Sequence, residues 1–181
     1  MKTTILILSM AMLLAAACAT RQAVPNAAAP SVKVGVYDSR AIAVAYAGSP
    51  FFNAWMTDFK ARYEKAKSAG DEAALQALNS EVEGSQKKMH MQGFSTAPVD
   101  DILAVIQDKL PGIAKKAGVG PMISKWDKDA LAKYPGAERL DVTMALVQAL
   151  EPDERRLKVI PEVLKTQPLP LEEMEKMSVD E

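Results

Sequence analysis

Residues 99–150 read VDDILAVIQDKLPGIAKKAGVGPMISKWDKDALAKYPGAERLDVTMALVQAL, and their periodicities set the expected fold. Ile102, Val105, Ile106, Leu110 and Ile113 recur at helical spacing, and Gly118 follows the cationic pair Lys115-Lys116, as at a helix C-terminus. The spacing predicts a helix ending near Ala117. Val119, Met122 and Ile123 predict a short strand, Ala130 to Tyr134 a second one, and Pro135-Gly136 a turn. Pro111 within the helix and Pro121 within the strand disfavour a straight helix and a fully paired strand. Asp141 can cap the next helix, to which Val142, Ala145, Leu146, Ala149 and Leu150 give an apolar face. The expected order is helix, strand, strand, helix.

Upstream, Val32 to Tyr37 alternates and is β-branched, which predicts a strand with Val32, Val34 and Val36 on one face. Asp38 or Ser39 caps a helix through Ile42, Val44 and Ala45, and Gly48-Ser49-Pro50 interrupts it. Ser49 then caps a new helix with Pro50 in its first turn, where no backbone hydrogen bond is lost. Phe52, Met56, Phe59, Tyr63 and Ala66 form a heptad-like seam with Trp55 beside it, so this helix needs a helical partner. Gly70-Asp71 reads as a stop followed by a cap, after which Leu75, Leu78, Val82, Ser85 and Met89 resume the spacing. The favoured reading is an antiparallel pair joined at Gly70. The alternative is one hinged helix about 60 Å long at 1.5 Å per residue. Gln92 to Pro98 reads as a loop, so the protruding arm occupies about residues 50–98.

Lys115-Lys116-Ala117-Gly118, then Asp127 to Tyr134, then Asp141-Val142-Thr143 resemble the C-terminal half of the Skp/OmpH family of periplasmic chaperones, and Val34-Gly35-Val36-Tyr37-Asp38-Ser39 resembles that family's first strand. The resemblance covers residues 32–150 and its motifs are short. It implies a trimer in which short strands assemble a small core while helical arms surround an unfolded outer-membrane protein. The expected class is α+β, mainly helical, with a small antiparallel-containing sheet of short strands and a protruding helical arm. Three short strands and an aromatic seam make a poor core for one copy, which also favours association.

The flanks point to export. Met1-Lys2 followed by the apolar run Ile5 to Ala17 reads as a signal peptide, too short for a comfortable membrane span. Leu14-Ala15-Ala16-Ala17-Cys18 places the single cysteine where a lipoprotein signal peptidase cuts, so Cys18 is the candidate lipid attachment; ordinary cleavage in the Ala-rich stretch is the alternative. Ala19, by resemblance to Gram-negative lipoprotein sorting, favours the outer membrane, giving a periplasmic protein anchored there by lipid. Residues 19–31 read as a flexible linker. Residues 151–181, with Pro152, Pro161, Pro168 and Pro170, cannot hold one long helix. This acidic extension is either solvated or lays Leu157, Val159, Ile160, Val163 and Leu164 on the body.

Residues 19–150 carry 16 Lys and Arg against 14 Asp and Glu, too small an excess to argue for nucleic acid. One cysteine excludes an intrachain disulfide, and with His90 as the single histidine the sequence offers no metal set, no cofactor motif and no catalytic constellation. The expectation is a non-catalytic holdase for unfolded outer-membrane proteins. The alternative is a lipid-anchored structural or scaffolding protein of the envelope. Phe51, Trp55 and Phe94, placed off the seam, are the candidate client contacts on the arm.

Overall fold

The computed structural model describes residues 32–177. The expected signal peptide, the expected linker, Cys18 and residues 178–181 lie outside the described residues.

β1 (Lys33–Tyr37) leads into α1 (Ser39–Tyr46), α2 (Pro50–Ala69), α3 (Glu72–Phe94), α4 (Asp100–Ala104) and α5 (Leu110–Ala117). Then come β2 (Met122–Ser124), α6 (Lys128–Ala132), β3 (Glu138–Asp141), α7 (Thr143–Ala149), α8 (Glu154–Lys165) and α9 (Leu171–Met177).

β1 is covered on both faces. Val34 packs with Ile123 and Leu131, and Val36 leans on the same cluster. Tyr37 points the other way, into a larger core built from Ala41 and Ile42 of α1, Ile102 of α4, Ile106, Leu146 of α7 and Ile160 of α8. A strand buried on both faces suits the middle of a parallel sheet. The order is β2-β1-β3, with Val36 opposite Ile123 on one side and Asp141 on the other, and both pairings are parallel.

Two expectations are corrected here. The sheet contains no antiparallel pair among the described residues, and Ala130 to Tyr134 is not a strand. Asp127 accepts the Ala130 N–H at 2.9 Å and caps α6, so this stretch turns as a helix. With α6 inside it, the connection from β2 to β3 is a crossover that passes β1, as parallel strands require, rather than a hairpin. The polar segment Glu138–Asp141 supplies the third strand, its Glu138 paired with Lys33 of β1 at 2.9 Å.

The helix expected up to Ala117 is two helices with a turn between them. Pro111 stands in the first turn of α5, where its missing N–H costs nothing, and Gly118 closes α5 at φ 66°. Pro121 precedes β2 rather than lying in it, and its carbonyl accepts the Gly35 N–H at 2.9 Å.

Of the two forms open to the tail, residues 154–177 adopt the packed one. Ile160 is fully buried in the core and Leu164 packs against it, whereas Leu157 and Val159 stay exposed. The close approach of α8 requires Gly48, because a Cβ there would fall 2.2 Å from Cγ of Arg156. The Asp153 N–H donates to the Gly48 carbonyl at 2.9 Å.

The arm is the antiparallel pair, not the long helix. Ser49 Oγ accepts the Phe52 N–H at 3.2 Å with Pro50 in the first turn, and α2 ends at Gly70 with φ 66° and ψ 27°. Asp71 then accepts the Ala74 N–H at 3.0 Å to start α3. At 1.5 Å per residue α2 is about 30 Å long and α3 about 35 Å. α3 runs on to Phe94, taking in Gln92 and Gly93 from the expected loop.

Candidate functional site

The arm buries Ala66 and Leu78 but leaves its aromatic side chains only partly covered. Phe52, Trp55, Phe59 and Tyr63 of α2 stack in sequence with ring centroids 5.7, 5.7 and 6.3 Å apart, and Tyr46 meets the first of them edge-on at 5.7 Å. Spacings of three and four residues put these rings on one side of the helix, where neighbouring aromatic rings stabilise one another. Trp55 therefore stands inside the row, between Phe52 and Phe59, not beside it as the heptad spacing implied. None of the four rings is buried. Where α3 faces the base of this row, a groove of about 240 Å³ is lined by Phe52, Trp55, Met56, Val82, Met89 and His90.

The three sequence-predicted contacts fall in different places. Trp55 lines the groove with His90, whose ring lies 5.8 Å from that of Phe94, and Phe94 is 58% exposed. Phe51 instead packs against the core, with the Lys109 ammonium 5.8 Å from its ring. Two of the three thus connect along the arm, and the third belongs to its root.

Polar groups fix the arm to the body. Gln92 is 1% exposed, and its amide donates at 2.8 Å to both the Pro98 carbonyl and the Asp101 carboxylate. Lys88 meets the other Asp101 oxygen at 2.8 Å. Burial pushes the Asp101 carboxyl up, but Lys88 and Gln92 prevail and hold it below its ordinary range. From the far side Ser95 Oγ donates to the Leu169 carbonyl at 2.7 Å, and the Leu169 N–H donates to the Phe94 carbonyl at 2.9 Å.

At the carboxyl end of β1 lies a buried ionic knot. Asp38 caps α1, accepting the Arg40 backbone N–H at 3.0 Å, and its own N–H donates to Thr143 Oγ1 at 3.0 Å. The Arg40 guanidinium donates to both Asp38 oxygens, at 3.1 and 2.8 Å, and to the Thr166 carbonyl at 3.0 Å. Lys125 reaches Asp38 at 2.7 Å, and the Trp126 ring stands 5.2 Å from Arg40 and 4.5 Å from Lys125. Burial works to raise the Asp38 carboxyl, yet the hydrogen bonds and charges of Arg40 and Lys125 hold it below its ordinary value of 3.8. Both carboxylate oxygens are occupied, so Asp38 locks β1, α1, α7 and α8 together and is not free to act as a base.

Sequence reasoning singled out neither Arg40, Gln92 nor Trp126. Asp38 was legible as a cap, but a charge two residues later gave no sign of folding back on it. Among the described residues no three His, Cys, Asp or Glu side chains come together to hold a metal, and no helix is long and apolar enough to cross a membrane. Comparisons of the chain with protein-family models, with curated proteins and with solved structures return no match.

Proposed function

We propose that this chain is a holdase-type binding protein whose two-helix arm captures apolar segments of unfolded outer-membrane proteins without catalysis. The observation that carries the reading is the row of four partly buried, stacked rings on α2, facing a groove with methionine on both walls. Aromatic rings offer large apolar area at small entropic cost, and methionine adapts to irregular partners. Such a surface accepts many sequences, because nothing in it demands one shape. Phe94 and His90 extend the surface toward the body.

The same reading includes an exported protein held at the outer membrane through lipid on Cys18, assembled as a homotrimer around its client. The trimer draws support from a sheet of three strands, the two outer ones only three and four residues long, whose open edges can pair further.

The test is suppression of aggregation of an unfolded outer-membrane β-barrel protein by the full chain and by its Trp55→Ser, Phe59→Ser double variant. The variant should keep its circular dichroism and lose most of the suppression. A folded double variant that suppresses as well as the parent removes the arm from the mechanism. Absence of suppression by the parent itself favours the scaffold alternative.

A further inference from the structure

The parallel sheet ends in a second concavity, distinct from the arm groove. Ligands of parallel α/β sheets bind beyond the carboxyl ends of the strands, where the connections diverge. Here a cleft of about 320 Å³ opens between the ends of β1 and β2 and the start of α4. Tyr37, Thr96, Asp100, Ser124, Trp126 and Asp127 supply its polar atoms, and no Lys or Arg lines it.

Tyr37 is the informative residue. It is 7% exposed, and no described residue hydrogen-bonds its hydroxyl. A buried hydroxyl left unpaired is costly. Yet the phenol oxygen is not sealed in the interior: the Ser39 hydroxyl is the one fully enclosed side-chain polar atom without a partner among the described residues. The Tyr37 hydroxyl therefore meets the cleft that its residue lines.

Burial first, then the charges of Asp100 and Asp127, push the phenol up to about 12, so it stays protonated with two carboxylates beside it. Asp127 spends one oxygen on the Ala130 N–H, which leaves the other available. Arg40 and Lys125, which lie 5.2 and 4.5 Å from the Trp126 ring, are both committed to Asp38. The residues that line the cleft thus present acceptors and carboxylates and include no cation.

We propose that this cleft binds an organic cation carrying a primary ammonium group on an alkyl chain, held by Asp100 and Asp127 and donating to the Tyr37 hydroxyl. The hydroxyls of Thr96 and Ser124 complete the polar wall, and Trp126 flanks the alkyl portion. The ammonium can belong to a free polyamine or to a lysine side chain of a polypeptide. The assignment is independent of the arm reading and stands or falls by itself.

The chain has two tryptophans, so in the full-length Trp55→Phe variant Trp126 alone reports. Titration with 1,4-diaminobutane, with Nα-acetyl-lysinamide and with calcium chloride should give a saturable fluorescence change for one or both amines and none for calcium. Response to the diamine alone identifies a free polyamine; an equal response to the lysine derivative identifies a polypeptide side chain. Asp100→Asn and Asp127→Asn should each weaken binding about tenfold, the loss expected for one charge-assisted hydrogen bond. Asparagine still caps α6, so the second variant keeps its fold. Tyr37→Phe should weaken binding while leaving the chain folded. The proposal is overturned if neither amine gives a saturable change, if calcium alone does, or if the folded Asp variants bind undiminished.

Discussion

The body and the arm of this chain are stabilised by opposite means. In the body, contacts join residues far apart in sequence: the Asp38 N–H and Thr143 Oγ1 are 105 positions apart, Arg40 and the Thr166 carbonyl 126. In the arm the cross-helix pairing of Arg62 with Glu81, at 2.8 Å, spans 19 positions and lies at the surface. The body hides an ion pair at 2% and 1% exposure, whereas the arm leaves its largest apolar side chains only partly covered. One region is determined by a few contacts that cannot be exchanged, the other by many that can. That division suits a fixed platform carrying an adaptable surface.

The sharpest way to break the comparison is Arg40→Met. It leaves Asp38 buried with only Lys125 as a cationic partner, and loss of one member of such a pair costs about 3–5 kcal/mol. Urea titration should show the body losing that stability, and a variant as stable as the parent would mean the knot contributes nothing.

Acid should act on the same place more gently. The Asp38 carboxyl is held below 3.8 in the fold, so the folded state resists protonation more than the unfolded chain does. Its contribution is complete above that value and is lost as pH falls through the lower folded-state value. The parent should therefore lose stability on acidification below about pH 4 more steeply than Arg40→Met, because the ordinary carboxylate range begins there. Equal acid slopes would exclude Asp38 as the source.

The smallest effect belongs to the arm. Gly70→Ala places a side chain at φ 66° with open space around it, so it meets only backbone strain, about 1 kcal/mol. Helical content should persist and the body's near-ultraviolet spectrum should not change. A loss as large as that of Arg40→Met would make the two regions one cooperative unit.

What the sequence disclosed was mostly local. Asp38, Ser49, Pro50, Gly70, Asp71 and Gly118 each do what their chemistry suggests at a helix end, and the arm follows from them. The sheet was harder to read. Glu138–Asp141 looks polar because it lies at an edge, with three of its four residues exposed, so its apolar signal is weak. Ala130 to Tyr134 looked like a strand because five residues are too few to display a helical period, although Asp127 three positions before Ala130 was a capping signal. The direction of pairing followed from that misreading, since a hairpin needs antiparallel strands and a helical crossover needs parallel ones. At the strand ends, Tyr37 and Trp126 come together with Asp100 and Asp127 only through tertiary folding, which no spacing announces.

The position of β1 in its sheet also sets a sequence of events in time. It is the first described element of the chain and the central strand, yet its neighbours are Met122–Ser124 and Glu138–Asp141. The hairpin of α2 and α3 needs only short loop closure, while pairing across such distances is intrinsically slow. We expect amide protons of α2 and α3 to gain protection from hydrogen exchange in an earlier kinetic phase than those of Val34 to Tyr37; simultaneous protection would contradict this order. Until it is paired, Val32 to Tyr37 is a β-branched strand with both edges bare, the kind of segment that can pair with other chains.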